Sequence, residues 1–341
     1  MKRRDFVQVL GAGCLGIGGA VPRIRSREDV FVERWSWAMG QPVHVMVFAG
    51  SEGEGLDACA AALAELRRVE GRLTLFDDAS DLCELNRRAG RRAMRVDEDL
   101  RAVLALAQRL KRHSGGAFDV AVEPLMRAWG FHRPRRMAPS AAEVAEARAA
   151  VATAVVELDG DVARLPNGHT QLDFGSIGVG YGIDRALGVL RVRGIRRALL
   201  DVSGDIGALG APPGEDGWLV GIADPDRRGR SVAAVRLNNG ALATAANTVS
   251  LVRYGALVAG HVMDPATGWP ARALRQASVM TRTATDADAL STAMLVSGRE
   301  PEGVVRSWSI RPISPSPAPW SARGRAGAGW CATRRWSRPG S

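Results

Sequence analysis

Residues 172–184 read LDFGSIGVGYGID, and they place four glycines between a strand-like segment, residues 170–174, and a helix-like segment, residues 184–192. Glycine at such a corner lets the backbone turn sharply and approach a ligand closely. The helix that follows presents unpaired N–H groups that can hold a phosphate. The pattern therefore predicts either an anion-binding turn or a tight strand–helix corner that has no ligand.

Two segments farther along the chain favour the ligand-binding interpretation. Residues 261–268 read HVMDPATG, which predicts a strand ending in a turn that Asp-Pro starts and glycine closes. Residues 286–294 have helical spacing, with Asp288 and Thr292 four residues apart on one face. A carboxylate and a hydroxyl so placed suit a hard cation such as Mg²⁺. The alternative is a solvated Asp beside a Thr that bonds to its own helix.

Together with three further blocks, these segments resemble the ApbE family of FAD:protein FMN transferases. The resemblance runs from Met39 to about Gly298 and implies an α+β fold of two lobes, with mixed sheets, flanking helices and a flavin cleft. The blocks, in chain order, are residues 73–86 (LTLFDDASDLCELN), 115–131 (GGAFDVAVEPLMRAWGF), 172–184, 201–206 (DVSGDI), 261–268 and 288–292.

The chemistry that this resemblance implies is transfer of FMN from FAD to a Ser or Thr hydroxyl of an exported redox protein, with release of AMP. It implies Mg²⁺ bound by Asp288, Thr292 and the backbone carbonyl of Ser176. Asp288 and His261 are the expected catalytic residues. The imidazole of His261 titrates near neutrality, which suits contact with the pyrophosphate or removal of the hydroxyl proton.

The resemblance also marks positions that contact the flavin or its adenosine. These correspond to Met39, Thr74, Phe76, Phe118, Asp119 and Asp173. Phe76 and Phe118 would serve equally well as core residues. Val179 stands at a cofactor-contact position where the family usually has lysine, Ala121 replaces a threonine, and residues 244–247 (TAAN) replace Thr-Ser-Gly-Asp. These departures leave two alternatives open: a catalytically impaired FAD-binding homologue, and a pyrophosphatase that splits FAD into FMN and AMP.

The positive charge of the chain is concentrated at its two ends. Of the net charge of +10, residues 1–27 carry six Lys or Arg against one Asp, and residues 303–341 carry seven Arg and no acid, which leaves −2 for residues 28–302. A nearly neutral body is not that of a nucleic-acid-binding protein.

The same division suggests three parts. Residues 1–27 start MKRRDF and continue into a short apolar run, which predicts a twin-arginine-type signal, export to the periplasm or the outer face of the inner membrane, and membrane association through the N-terminus. Residues 28–302 form the ApbE-like domain. Residues 303–341 are an aberrant tail that we expect to be disordered, and it is either a frameshift product or a basic, aromatic tail.

Local signals predict the elements of the body. Helices are expected at residues 56–69, 100–110 behind an Asp97 cap, and 141–152 behind a Ser140 cap. We interpret the Arg- and Pro-rich residues 132–139 as a surface excursion. Strands are expected at residues 43–48, 155–158, 198–202, 218–223, 233–237 and 276–281.

Overall fold

A seven-stranded antiparallel sheet forms the centre of the molecule. The structure, a computed structural model of the chain, describes residues 30–227, 229–248 and 250–311. The strands of the central sheet lie in the order β1-β2-β6-β7-β10-β13-β14, and all their pairings are antiparallel. In chain order, the strands are β1 (Val30–Ala38), β2 (Gln41–Ala49), β3 (Met94–Arg95), β4 (Glu157–Asp159), β5 (Val162–Arg164), β6 (Arg197–Val202), β7 (Asp205–Leu209), β8 (Trp218–Ala223), β9 (Ser231–Leu237), β10 (Ala241–Ala246), β11 (Leu251–Tyr254), β12 (Leu257–Gly260), β13 (Gln276–Thr281) and β14 (Arg306–Ile310).

Helices and three small antiparallel sheets surround this centre. The small sheets are β3-β5-β4 and the pairs β8-β9 and β11-β12. A 3₁₀ turn at Val120–Val122 precedes α4. No helix in the described part of the chain is both long enough and apolar enough to cross a membrane. The helices are α1 (Glu52–Leu73), α2 (Asp81–Arg87), α3 (Glu98–His113), α4 (Glu123–Ala128), α5 (Ala141–Ala152), α6 (Gly178–Val192) and α7 (Ala284–Ser297).

The glycine-rich stretch lies at the boundary between two apolar cores. Its residues Leu172, Phe174 and Ile177 pack in the core that α2 and α3 share, whereas Val179 and Ile183 pack in the core between the central sheet and α1. Helix α7 is divided in the same way: its first turns belong to the second core and its later turns to the first. Because both elements contribute to both cores, the two lobes meet along α6 and α7.

The α+β class is confirmed, and some elements match their sequence predictions closely. Helix α5 spans the predicted residues, and the side chains of Ser140 and Glu143 form the reciprocal hydrogen bonds of a capping box. Asp97 caps α3 by accepting the backbone N–H of Leu100. Capping residues act locally, which is why the sequence locates these helix starts well.

The predicted strand at residues 170–174 is wrong. The side chain of Asn86 pairs with both the N–H and the carbonyl of Leu172, at 2.8 and 2.9 Å, and so takes the place of a neighbouring strand. Helix α6 also begins at Gly178 rather than at residue 184. The glycines are helical there because a neighbouring helix requires small residues along this turn, as described below.

The chain remains folded beyond the predicted boundary at residue 302. Strand β14 pairs with β13, and Trp308 packs against the core under the β8-β9 hairpin. The expectation of disorder from residue 303 is therefore wrong as far as Ile310, because this segment completes the edge of the central sheet. The predicted signal at residues 1–27 and the tail from residue 312 onward lie outside the described residues.

Candidate active site

The start of α6 is in close contact with α7. A Cβ atom at Gly180 would lie 2.2 Å from the carbonyl oxygen of Ala284 and 2.9 Å from Cβ of Asp288, so only glycine fits this position. The backbone N–H of Gly180 donates to Oδ2 of Asp288 at 3.0 Å. The glycine-rich pattern thus has a structural cause as well as the functional one, since it brings a carboxylate onto the first turn of α6.

A second carboxylate, Asp184 on α6, fixes the position of α7. Its Oδ1 accepts the N–H of Ala284 at 2.8 Å, and its Oδ2 accepts the N–H of Thr285 at 2.9 Å and the hydroxyl of the same residue. These bonds satisfy N–H groups that a helix start would otherwise leave unpaired. Asp184 therefore holds Asp288, one turn farther along α7, in its place over Gly180.

The predicted catalytic carboxylate, Asp288, is buried near two other carboxylates, those of Asp184 and Asp205. Burial, together with the charge of Asp184, raises the pKa of Asp288 to about 7, although the hydrogen bond from Gly180 favours the charged form. Burial and the charge of Asp288 also raise the pKa of Asp205 well above its ordinary value. Three carboxylates close together in a poorly hydrated place are unfavourable unless a cation or protons neutralise them.

The other two predicted metal ligands belong to the same pair of elements. Thr292 follows Asp288 by one turn of α7, as predicted, and its side chain is half-buried. Ser176, also half-buried, lies in the turn just before α6. Within the described ranges, no group of three His, Cys, Asp or Glu side chains is placed to hold a metal ion. A cation here would therefore rely on one carboxylate supplemented by neutral oxygens.

His261 lies in a loop that the side chain of Asn247 holds in place. Asn247 accepts the N–H of Val262 at 2.8 Å and donates to the carbonyl of Val262 at 3.1 Å. Nδ1 of His261 is buried without a hydrogen-bond partner, and burial lowers the pKa of the imidazole despite a hydrogen bond to the backbone of Ser250. His261 is consequently neutral at pH 7, with a nitrogen that is free to accept a proton. The turn that follows forms as predicted, since Asp264 accepts the N–H of Gly268 through its backbone carbonyl.

The predicted flavin-contact residues fall into an exposed and a buried group. Phe76 is 83% exposed, which excludes a core role for its side chain. Phe118 and Val179 are buried in the two cores, so neither side chain reaches an open cleft. Asp119 forms an ion pair with Lys111, with 2.6 Å between Oδ2 and Nζ.

Three of the remaining positions lie near the glycine-rich turn. Met39 has a left-handed backbone (φ 56°) and packs partly against both cores, close to Gly182. The hydroxyl of Thr74 accepts the N–H of Phe76, at 3.1 Å. Asp173 accepts the N–H of Gly175 through Oδ1, at 2.7 Å. Met39 therefore lies beside α6, whereas the hydrogen bonds of Thr74 and Asp173 are local to their own loops.

His132 was missed by the sequence analysis, which placed it in a surface excursion. Its Nε2 lies 3.5 Å from Oδ2 of Asp173, its Nδ1 lies 3.7 Å from Oε1 of Glu123, and the ring of Phe76 meets it edge-on at 5.6 Å. The neighbouring Phe131 contacts the ring of His261 at 6.4 Å. The sequence carries no local signal for this convergence, because a lone His in an Arg- and Pro-rich segment is typical of a surface loop.

The site thus combines a buried carboxylate held over the start of α6 with an exposed aromatic ring, in an α+β fold. Residues 39–306 match the ApbE family, and the chain belongs to that family.

Two relatives named FAD:protein FMN transferase are similar over most of this chain. The one from Rhodobacter capsulatus is 31% identical over 296 residues, which cover 85% of this chain but only 56% of the relative. The one from Treponema pallidum is 29% identical over 303 residues, which cover 84% of this chain and 83% of the relative.

Solved structures support the same assignment. The crystal structure of the ApbE protein from Thermotoga maritima matches with a TM-score of 0.71 and 26% identity, covering 78% of this chain and 87% of that one. The apo form of the flavinyl transferase ApbE from Pseudomonas stutzeri matches with a TM-score of 0.69 and 25% identity, covering 83% and 95%.

Proposed function

We propose that this protein transfers FMN from FAD to a Ser or Thr hydroxyl of an exported redox protein, in a Mg²⁺-dependent reaction that releases AMP. The observation that carries the proposal is the buried Asp288, held over the first turn of α6 with a pKa near 7. Family membership and the names of the relatives support the same reaction.

The donor set at the boundary of the two lobes fits a hard cation. Asp288 offers a carboxylate that lacks a positively charged partner among its hydrogen bonds, Thr292 a hydroxyl and Ser176 a backbone carbonyl. A bound Mg²⁺ would supply neutralisation of charge on the phosphoryl oxygens. Asp184 contributes indirectly, because it fixes the start of α7 and therefore the direction of the Asp288 side chain.

The acceptor hydroxyl attacks the phosphorus on the FMN side of the pyrophosphate. A bond from the acceptor oxygen to phosphorus forms, the bond from that phosphorus to the bridging oxygen breaks, and AMP leaves with the bond electrons. The unpartnered Nδ1 of His261 takes the hydroxyl proton, which its lowered pKa permits at neutral pH. The N–H of Gly180, in the first turn of α6, holds the carboxylate of Asp288 in place.

One observation favours the alternative of an impaired homologue. The side chain of Val179 is buried in the core between the sheet and α1, so this position supplies no positive charge to a phosphate. If water attacks the same phosphorus in place of the acceptor hydroxyl, FAD is split into FMN and AMP, and the protein is an FAD pyrophosphatase. These alternatives have different products and can be separated in a single assay.

The assay is mass spectrometry of a Thr-containing flavin-acceptor domain incubated with the purified protein, FAD and Mg²⁺. We expect the acceptor to gain the mass of one FMN moiety, and we expect EDTA to prevent this gain. If free FMN and AMP appear without an adduct, the protein is an FAD pyrophosphatase and not a transferase. Bound FAD without turnover would establish the impaired homologue.

Replacing His261 with glutamine tests the proton acceptor. We expect kcat to fall by about 10²–10⁴-fold, because glutamine cannot accept the proton, while FAD affinity changes only a few-fold. The acidic limb of the wild-type pH–rate profile should lie below the usual range of histidine and should disappear in the variant. A rise in the Kd for FAD with an unchanged kcat would instead assign His261 to pyrophosphate binding.

The proposed location is the periplasm or the outer face of the inner membrane, since the start of the sequence resembles a twin-arginine signal. Changing both Arg3 and Arg4 to lysine should retain the protein in the cytoplasm, as measured by cell fractionation. Unchanged export of this variant would contradict the twin-arginine route.

A further inference from the structure

Three elements bring a polar cluster against an exposed aromatic ring. Glu123 starts α4, His132 lies in the loop after α4, and Asp173 belongs to the glycine-rich turn. Phe76, in the loop between α1 and α2, stands over this cluster with its ring at 90° to the imidazole. Asp173 and Phe76 were expected near a flavin from sequence, whereas Glu123 and His132 were not.

Phe76 has the features of a ligand platform. The residue is 83% exposed, so most of its ring is open to solvent although it contacts the imidazole of His132. An open aromatic face beside buried polar groups is the usual construction of a site for a planar ring, because stacking supplies affinity and the polar groups supply orientation.

The polar cluster has unused hydrogen-bonding capacity. The side chain of Glu123 is only 5% exposed, and its Oε2 has no hydrogen-bond partner, while its Oε1 accepts Nη2 of Arg127 at 2.8 Å. Nδ1 of His132 is also buried without a partner. Oδ1 of Asp173 is used by Gly175, but Oδ2 faces Nε2 of His132 at 3.5 Å, too far for a good hydrogen bond. An acceptor and a donor therefore lie side by side, and neither is satisfied by the other.

We propose that His132 and Asp173 recognise the pyrimidine edge of an isoalloxazine ring that stacks on Phe76, which makes His132 a specificity-determining residue for the flavin half of FAD. This inference rests on the proposed function. The pyrimidine edge presents a carbonyl, an N–H and a second carbonyl in sequence. Asp173 Oδ2 accepts the central N3–H, and Nε2 of His132 donates to the adjacent carbonyl. Glu123 lies on the other side of the imidazole, with its Oε1 3.7 Å from Nδ1, and this oxygen accepts a hydrogen bond from Arg127.

The charges around the imidazole favour the donor form. Burial lowers the pKa of His132, but Glu123 and Asp173 outweigh it and raise the pKa above the ordinary value, while Arg127 acts in the opposite direction. Burial raises the pKa of Asp173, and the charge of His132 opposes this rise. The raised pKa of His132 thus favours the doubly protonated imidazole, whose Nε2–H lies beside Asp173, and this donor form is lost as pH rises through that pKa.

The test compares three probes on three proteins by isothermal titration calorimetry. The probes are riboflavin, 3-methylriboflavin, which lacks the N3–H, and ADP, which lacks the ring system. The proteins are the wild type, His132→Leu, which lacks a donor, and the control His169→Leu, which replaces an exposed imidazole that bonds to Thr153 elsewhere on the surface. We expect the wild type to prefer riboflavin over 3-methylriboflavin by about 10-fold or more.

His132→Leu, which removes the donor, should bind riboflavin about 10-fold more weakly, with unchanged affinity for ADP. It should keep the preference over 3-methylriboflavin, because Asp173 accepts the N3–H. His169→Leu should match the wild type throughout. Equal riboflavin affinity in wild type and His132→Leu would overturn the inference, as would a loss confined to ADP. Phe76→Ala, an exposed position whose truncation leaves the core intact, should weaken riboflavin and spare ADP in the same way.

The outcome for the inference is separable from that for the proposed function. If FMN transfer proceeds and His132→Leu behaves as the wild type toward every probe, only the inference fails. If the wild type neither binds FAD nor modifies an acceptor, the proposed function fails, and the inference fails with it.

Discussion

Asp288→Asn is expected to abolish FMN transfer and, in the absence of Mg²⁺, to make the protein more stable above pH 7. Asparagine has the same shape and can still accept the N–H of Gly180, but it removes a buried negative charge from beside Asp184 and Asp205. We expect the transfer rate to fall by at least about 10³-fold, since loss of the proposed Mg²⁺ ligand would remove several kcal/mol of charge stabilisation.

The stability change follows from the direction of the pKa shift. The folded-state pKa of Asp288, about 7, lies above the value near 4 of an unfolded chain. The folded protein therefore binds the proton more tightly, and wild-type stability falls as pH rises from about 4 to about 7 and then levels off. The variant lacks this loss of stability. The difference between its free energy of unfolding and that of the wild type should therefore grow over the same pH range to about 1–3 kcal/mol.

The measurement is the free energy of unfolding by urea in EDTA at pH 5 and pH 8, followed by thermal melting with Mg²⁺ and FAD. Mg²⁺ should add to the stabilisation by FAD in the wild type but not in Asp288→Asn. Asp286→Asn is the control on the same helix, because Asp286 forms an exposed pair with Arg109 at 3.0 Å. If Asp288→Asn is less stable than the wild type at pH 8 in EDTA, the buried charge of Asp288 does not destabilise the metal-free protein.

The parts of the site that sequence could predict are those encoded locally or by the family resemblance. Asp288 and Thr292 were expected on one helical face, and α7 places them one turn apart. The glycine-rich stretch was expected to form a corner between a strand and a helix, but the strand does not form, and three of its four glycines lie within α6. The sequence left two roles open for Phe76, packing in the core and contact with a ligand. Its exposure excludes the core role.

The parts that sequence could not predict depend on contacts between distant segments. His132 became a site residue only because α4 and the glycine-rich turn bring Glu123 and Asp173 to either side of it. Val179 was considered as a phosphate-contact position, but the direction of its side chain follows from the packing of α6 against the sheet and α1. The early start of α6 likewise depends on α7, which approaches too closely for any residue but glycine at position 180.

This close approach leads to the second large effect, which is a loss of stability in Gly180→Ala. In an open helix, replacing glycine with alanine stabilises by about 0.5–1 kcal/mol, because alanine loses less backbone freedom on folding. At Gly180 the added Cβ would lie 2.2 Å from the carbonyl oxygen of Ala284, a backbone atom that cannot move alone. Helix α7 would have to separate from α6 against the three hydrogen bonds that Asp184 makes to Ala284 and Thr285. We expect the free energy of unfolding to fall by about 3 kcal/mol.

Gly188→Ala supplies the matched control, since it makes the same change in the same helix at a position where the added Cβ meets nothing within 4 Å. This variant should gain about 0.5–1 kcal/mol in urea unfolding and keep its transfer activity. Gly180→Ala should lose both stability and transfer, because the movement of α7 carries Asp288 away from the start of α6. If the two variants shift the free energy of unfolding in the same direction, the contact between the helices does not explain the glycine at position 180. Opposite signs would show that one residue serves both purposes: the absence of a side chain lets α7 dock, and the exposed N–H then orients the carboxylate on which the chemistry depends.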